Sequence, residues 1–426
     1  MKYSIKTILF IPFFFILSIN GFAAERFLFK HNAGSQYRIL SIVSEDVFYN
    51  GQFSHHSDIS NKVSVAIKST TKDSNEIEVG EIESTFYITE DYLFQDQHFS
   101  QLTNTYKSHF YRDKFGRYTQ DEDDMMPVVR NAPLFPDKEL EVGESWKATG
   151  YEVHDFSKSP FFIKNPFRFP VEILYRYEGK DMLKDKEYDK FSINYKALYT
   201  VPQQNSGLIN GYNNSYRYGN QYQQTLRPSQ IFVASTQTLY WDNTAGRPFF
   251  YNEQFNHIIA LNDGSQIEFR GTAEAIVLDS QDMDKKNLKD EISKELEASG
   301  LKDVKVVEKD EGLALILDNI QFYPDSSQIL PGEEKKLDAI ATILNQYKER
   351  DIKITGHTAR AGTVEEQDRL SLERATVIAD HFIKTQVRQP VQILIEGKGS
   401  REPIASNSNE IGRKKNRRVE ILILEN

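Results

Sequence analysis

In Phe169-Pro170-Val171-Glu172-Ile173-Leu174-Tyr175-Arg176-Tyr177, one set of alternate positions carries Phe, Val, Ile, Tyr and Tyr. Successive side chains of a strand point to opposite faces, so this alternation predicts a half-buried β-strand. The same texture recurs at 37–43, 63–68, 77–88, 191–199, 231–240 and 265–277. Turn residues such as Asn50-Gly51, Asn210-Gly211 and Asn262-Asp263-Gly264 punctuate the runs. Residues 24–279 are therefore expected to be all-β and sandwich-like. They form one unit, or two split near 121–136, where Asp121-Glu122-Asp123-Asp124 precedes Pro127, Pro133 and Pro136. The Tyr/Asn/Gln/Gly-rich stretch 203–224 reads as a long exposed hairpin or loop.

Beyond the Asp- and Lys-dense stretch 279–289 the pattern changes. A short amphipathic helix over 288–299, ended by Gly300, and a strand at 304–307 make 280–311 a linker with a little structure. The cluster Asp279, Asp282 and Asp284 lacks the Gly and the terminal Glu of a calcium loop, so it reads as solvated linker. A strand is expected over 313–322. Pro331-Gly332 then opens a helix with Glu333 and Glu334 at its positive end and Leu337, Ile340, Ala341, Leu344 and Tyr347 on its apolar stripe. Further strands follow at 352–354, 391–395 and 419–423, with a helix over 364–384 whose core face is Leu372, Ala375, Ala379 and Phe382. Residues 312–426 thus predict an α/β two-layer domain, and the whole chain is multidomain.

The N-terminus predicts the compartment. Lys2 and Lys6 precede an apolar run over 7–19, and Gly21-Phe22-Ala23 offers small residues for cleavage after Ala23. Residues 1–23 read as a secretory signal peptide. With no cysteine in the chain, disulfides, thiolate metal sites and N-terminal lipidation on Cys are excluded. The net charge of −10 argues against a nucleic-acid partner, which demands a basic surface.

Four blocks then stand in order: Ile320-Gln321-Phe322-Tyr323-Pro324-Asp325-Ser326, Gly356-His357-Thr358 with Gly362, Leu370-Ser371-Leu372-Glu373-Arg374-Ala375, and Gly412-Arg413-Lys414-Lys415-Asn416-Arg417-Arg418-Val419-Glu420-Ile421. Together they resemble the OmpA-like, peptidoglycan-associating C-terminal domain, over about 312–426. The resemblance implies a non-covalent dock for the peptide stem of peptidoglycan, with a guanidinium fork on the ligand carboxylate. Carried onto this chain, that grip falls on Arg374, with Thr358, Asp325, Gln367, Leu370 and Arg418 around it. The family's Asp after Gly-x-Thr is replaced by Ala359, its Asn before the Leu-Ser pair by Gln367, and an Asn in the first block by Asp325. Loss of the acceptor leaves three readings open: a stem with a different diamino acid, weak binding, or a structural and partner-docking module. Arg374 has a second reading, as a surface Arg paired with Glu365, Glu366 or Asp368. The basic run 413–418 has a reading as a solvated strand entry.

Enzyme motifs are absent: there is no H-E-x-x-H, G-x-S-x-G, P-loop or dinucleotide fingerprint. His55-His56 beside Asp58 reads as a turn. No cofactor or metal is expected. A hydrolase in the β-rich half is a lesser alternative, which a buried His or facing carboxylates there would signal. A membrane barrel is disfavoured by irregular, heavily charged strands. The expected protein is a non-catalytic periplasmic, outer-membrane-associated tether, touching peptidoglycan at one end and an unidentified envelope protein through its β-rich half.

Overall fold

The computed structural model describes residues 24–120, 132–156, 167–202, 226–279, 283–317, 322–323 and 325–425. The signal-peptide reading, the acidic stretch 121–124 and the 203–224 segment lie outside the described residues. Among the described residues eleven strands precede the first helix: β1 (Gln36–Tyr49), β2 (Gln52–Lys72), β3 (Glu78–Phe94), β4 (Gln97–Asp113), β5 (Tyr118–Gln120) and β6 (Ser145–His154). They continue as β7 (Phe167–Leu183), β8 (Lys186–Thr200), β9 (Pro228–Asp242), β10 (Arg247–Leu261) and β11 (Gln266–Asp279).

These strands pair antiparallel along one path, β4-β3-β2-β1-β11-β10-β9-β8-β7-β6, with β5 on β4. The all-β expectation holds for this region, and its ladders join into a single continuous sheet. The reason is local. Two-residue turns with both central residues at positive φ, at Asn50-Gly51, Gln95-Asp96 and Lys184-Asp185, return β2, β4 and β8 onto their predecessors. The β1–β11 ladder then joins the first and last strands of the region from Tyr37↔Asp279 to Tyr49↔Ile267. Strands β4, β5, β6 and β10 were not foreseen: β5 has only three residues, and polar residues occupy several inward positions of the others. The His55-His56 pair lies within β2, not in a turn, with His56 Nδ1 2.8 Å from Asp46 Oδ1.

One face of β7–β10 buries Tyr175, Tyr177, Phe191, Ile231 and Trp241. The segment preceding β1 enters this core. Phe27 meets Phe191 edge-to-face at 4.9 Å, and Phe29 meets Trp241 at 4.8 Å. The Arg112 guanidinium lies 4.1 Å over the Phe29 ring.

The C-terminal part contains α1 (Lys285–Ala298), β12 (Val304–Lys309), β13 (Gly312–Leu317), α2 (Glu333–Leu344) and β14 (Ile352–Gly356). Then come α3 (Val364–Lys384), β15 (Ile393–Gly397), α4 (Glu410–Asn416) and β16 (Val419–Leu424). Its sheet order is β12-β13-β16-β14-β15, with β14 and β15 parallel and the other pairs antiparallel. Leu337, Ile340 and Leu344 of α2 and Ala375, Ala379 and Phe382 of α3 pack on Leu315, Ile354, Ile395 and Ile421. Residues Leu288, Ile292 and Leu296 of α1 share that core, so much of the 280–311 stretch is packed structure. Asp284 caps α1 by accepting from the Asn287 N–H at 3.1 Å, and Asp279 pairs with Arg247. Helix α3 starts with a capping box between Thr363 and Glu366.

Phe27 is 1% exposed and reaches the core from outside the sheet ladders. Phe27→Ala is expected to lower unfolding free energy by roughly 3–5 kcal/mol in denaturant titration. A loss under about 1 kcal/mol would show that the segment does not contribute to the core.

Candidate binding cleft

The cleft is built where two strand ends meet one helix. Strand β14 ends at Gly356, where a Cβ would stand 2.0 Å from the Ser371 carbonyl of α3. Only glycine allows this approach, so the helix backbone lies directly on the strand end. Ser371, fully buried, accepts from the Gly399 N–H at 2.9 Å and donates to the Asp368 carbonyl at 2.8 Å. The Thr358 N–H in turn donates to the Gly399 carbonyl at 2.8 Å. Gly412 repeats the device on the far wall, since a Cβ there would meet the Ser406 carbonyl at 1.9 Å. Asn416, 1% exposed, accepts from the Ile404 and Ala405 N–H groups at 2.9 Å each, which fastens the loop before α4.

Around this frame lies a cleft of about 960 Å³. Thr358 and Ala359 line it from the end of β14, and Gln367, Leu370 and Arg374 from α3. Asp325 contributes from the segment before α2, and Arg418 from the start of β16. All seven residues singled out in the sequence therefore meet at one place. Arg413, Lys414 and Arg417 also line it, so the basic run is a short helix and its exit on the cleft wall, not a free strand entry. The stapling residues Ser371 and Asn416 were quoted within motifs but not recognised as framework. Their buried polar side chains have a use only once the loops they bind are placed.

Arg374 is 7% exposed. Its Nε donates to the Ser326 carbonyl at 3.1 Å, and its guanidinium lies 4.8 Å over the Phe322 ring. No carboxylate of the described residues forms an ion pair with it. Two acids of the surface-Arg reading are engaged elsewhere, Asp368 with Arg401 and Glu366 with the Thr363 N–H at 2.9 Å, and Glu365 forms no ion pair with Arg374 among the described residues. Burial and the nearby Arg417 charge lower the Arg374 pKa, while Asp325 opposes that shift. Most other cations on the wall are paired, Arg418 with Glu420 at 2.7 Å and Arg413 with Glu410 at 2.9 Å, while Lys414 forms no ion pair among the described residues. The Thr358 hydroxyl is buried without a hydrogen-bond partner among the described residues. Ala359 offers only a methyl group. Gln367 donates to the Gly362 carbonyl at 3.1 Å, which occupies its amide with the loop. The arrangement suits an anion: a guanidinium whose Nη donors have no partner among the described residues, a hydroxyl and flanking positive charge.

The β-rich half also buries titratable groups. Glu152 accepts from the Tyr195 hydroxyl at 2.6 Å and lies 3.3 Å from His154 Nε2, and burial lowers the His257 pKa to about 4. Among the described residues no group of three His, Cys, Asp or Glu side chains is placed to hold a metal ion. No described helix is long and apolar enough to cross a membrane.

Residues 321–417 match the OmpA family model. The probable lipoprotein YiaD of Escherichia coli (strain K12) is 34% identical over 105 residues, covering 25% of this chain and 48% of that protein. The peptidoglycan-binding protein ArfA of Mycobacterium tuberculosis (strain ATCC 25618 / H37Rv) is 35% identical over 104 residues, 24% of this chain and 32% of that protein. The chain thus spans about half or less of the length of these curated relatives. An outer membrane protein structure from Borrelia burgdorferi B31 is 41% identical, covering 28% of this chain and 96% of that one with a TM-score of 0.25.

His357, on the lining of the cleft, is 2% exposed, and burial with the adjacent Arg418 charge lowers its pKa to about 4. An unfolded His protonates near its ordinary value of about 6.5. The unfolded state therefore takes up a proton before the folded one, and stability intact above that value erodes as pH falls toward 4. His357→Gln is expected to shrink the fall in melting temperature between neutral pH and pH about 4.5. An unchanged fall would mean that His357 does not contribute to the acid sensitivity.

Proposed function

With residues 321–417 an OmpA family domain, we propose that this chain is a non-catalytic cell-envelope protein that contacts peptidoglycan through the Arg374 cleft. The observation carrying this reading is the buried Arg374 guanidinium, open to the cleft and without an ion-pair partner among the described residues. A buried charge left unpaired is costly, and a ligand carboxylate on its Nη donors would relieve that cost. A wall-binding role is also in keeping with the name of the mycobacterial relative. The ligand is the carboxylate-bearing end of the stem peptide, with Thr358 and Asp325 as polar neighbours, Leu370 as apolar wall, and Gln367 and Arg418 as supports. The site is altered at Ala359, whose methyl cannot accept from a ligand ammonium.

In this proposal, cleavage after Ala23 leaves a β-rich region over 24–279 and the wall-binding domain over 312–426, with 280–311 between them. The protein acts in the periplasm in association with the outer membrane, and the β-rich region engages a further envelope protein. Ala359 favours a second reading, in which the cleft has lost wall binding and the domain serves as a docking module.

Co-sedimentation of the chain with purified peptidoglycan separates the two. The tether reading expects retention, weakened roughly 10- to 100-fold by Arg374→Ala, as for loss of a charge-assisted contact of about 1.5–3 kcal/mol. Ala359→Asp is expected to tighten binding to a wall whose stem carries diaminopimelate. No retention of the parent chain on either its own or a diaminopimelate-type wall would leave the docking-module reading standing.

A further inference from the structure

The C-terminal sheet carries apolar side chains on both faces, the second of which also holds Lys353, Thr355 and Glu420. All six residues of β16, Val419-Glu420-Ile421-Leu422-Ile423-Leu424, are buried, and β13 reads Leu313-Ala314-Leu315-Ile316-Leu317 without a polar position. Strands that expose one face to water alternate, whereas near-continuous apolar runs mark strands covered on both faces. Helices α1–α3 cover only one face, the one with Leu313, Leu315, Ile354, Ile395, Ile421 and Ile423. The opposite face presents Ala314, Leu394, Leu422 and Leu424, and these form one apolar cluster with Tyr87 of β3 and Leu102 of β4.

Two polar features accompany that contact. The free edge of β15 pairs in parallel with β4 at Leu394↔Ser100 and Ile395↔Gln101. An exposed edge strand would otherwise invite pairing with other chains. Beside it the Lys62 ammonium, 9% exposed, reaches Asp351 Oδ2 at 2.8 Å and the Val391 carbonyl. Asp351 immediately precedes β14 and also faces Arg38 at 3.9 Å. Buried ion pairs add little net stability over apolar packing, but their geometry permits only one seating.

We infer that the outer face of β2–β4 is a dedicated docking platform for the open face of the C-terminal sheet, so that the two regions form one rigid body. Adjacent domains move relative to each other unless their interface is extensive and apolar. Here the apolar cluster, the strand pairing and the ion pair act on the same contact. The cleft is then held at a fixed orientation to the β-rich region, and the covered sheet face is closed to outside partners. This inference does not depend on what the cleft binds.

Because the chain has no cysteine, spin labels can be placed without background substitutions. Glu76→Cys, at a hairpin tip, and Lys384→Cys, at the end of α3, alter side chains that are 81% and 63% exposed and lie outside the contact. Electron–electron distance measurement on the full chain is expected to give one narrow distribution. A protease site introduced at 280–282 should, after cleavage, leave the two halves co-eluting at micromolar concentration. A broad distribution, or cleaved halves that separate while each stays folded, would overturn the rigid-body assignment.

Discussion

Strand β16 has no face turned to water, and much of the molecule follows from that constraint. One side of its sheet is satisfied by α2 and α3, whose apolar stripes meet Ile421 and Ile423. The other side needs a second cover, which β3 and β4 supply through Tyr87 and Leu102. The same sheet carries the cleft. Its order places the end of β14 beside the start of β16, and hence His357 against Arg418, with Thr358 next along the chain. Burial of this one sheet on both faces thus ties the helices, the cleft and the β-rich region into a common structure.

The cleft illustrates how backbone contact governs side-chain chemistry. The missing Cβ at Gly356 lets α3 settle against β14, and Ser371 then fastens α3 to the loop after β15. Arg374 lies one turn further along α3 and is thereby held against Phe322 and the Ser326 carbonyl, away from the acids near the start of the helix. Positive charge on this wall is largely neutralised in pairs such as Arg418–Glu420, which leaves Arg374 as the distinctive donor. In the proposed function, a ligand carboxylate supplies the counter-ion that this interior guanidinium lacks among the described residues.

The β-rich region follows a different logic. Its strands run to 21 residues in β2, longer than the alternating segments visible in the sequence. Alternation is clear only where one face is apolar and the other polar, as in β7, with its buried positions at every second residue. Strand β10 mixes Glu253 and His257 with Ile259 and Leu261 on its inward side, so the period disappears although the strand is well paired. Helix α4 was hidden for a related reason. It is seven residues long, and its buried members are Gly412 and Asn416 rather than an apolar stripe.

By itself the sequence determined the local elements with strong periodicity, the order of the four motif blocks and the residue types available to the cleft. Alternation and helical spacing are short-range properties that any reader of the chain can recover. Only the tertiary structure decided that the β strands form one continuous sheet, that Arg374 is buried without a carboxylate partner among the described residues, and that Lys62 meets Asp351. These depend on contacts between residues as far as 289 positions apart. Such contacts arise from how whole sheets and helices bury their remaining apolar faces, and no local pattern encodes which faces meet.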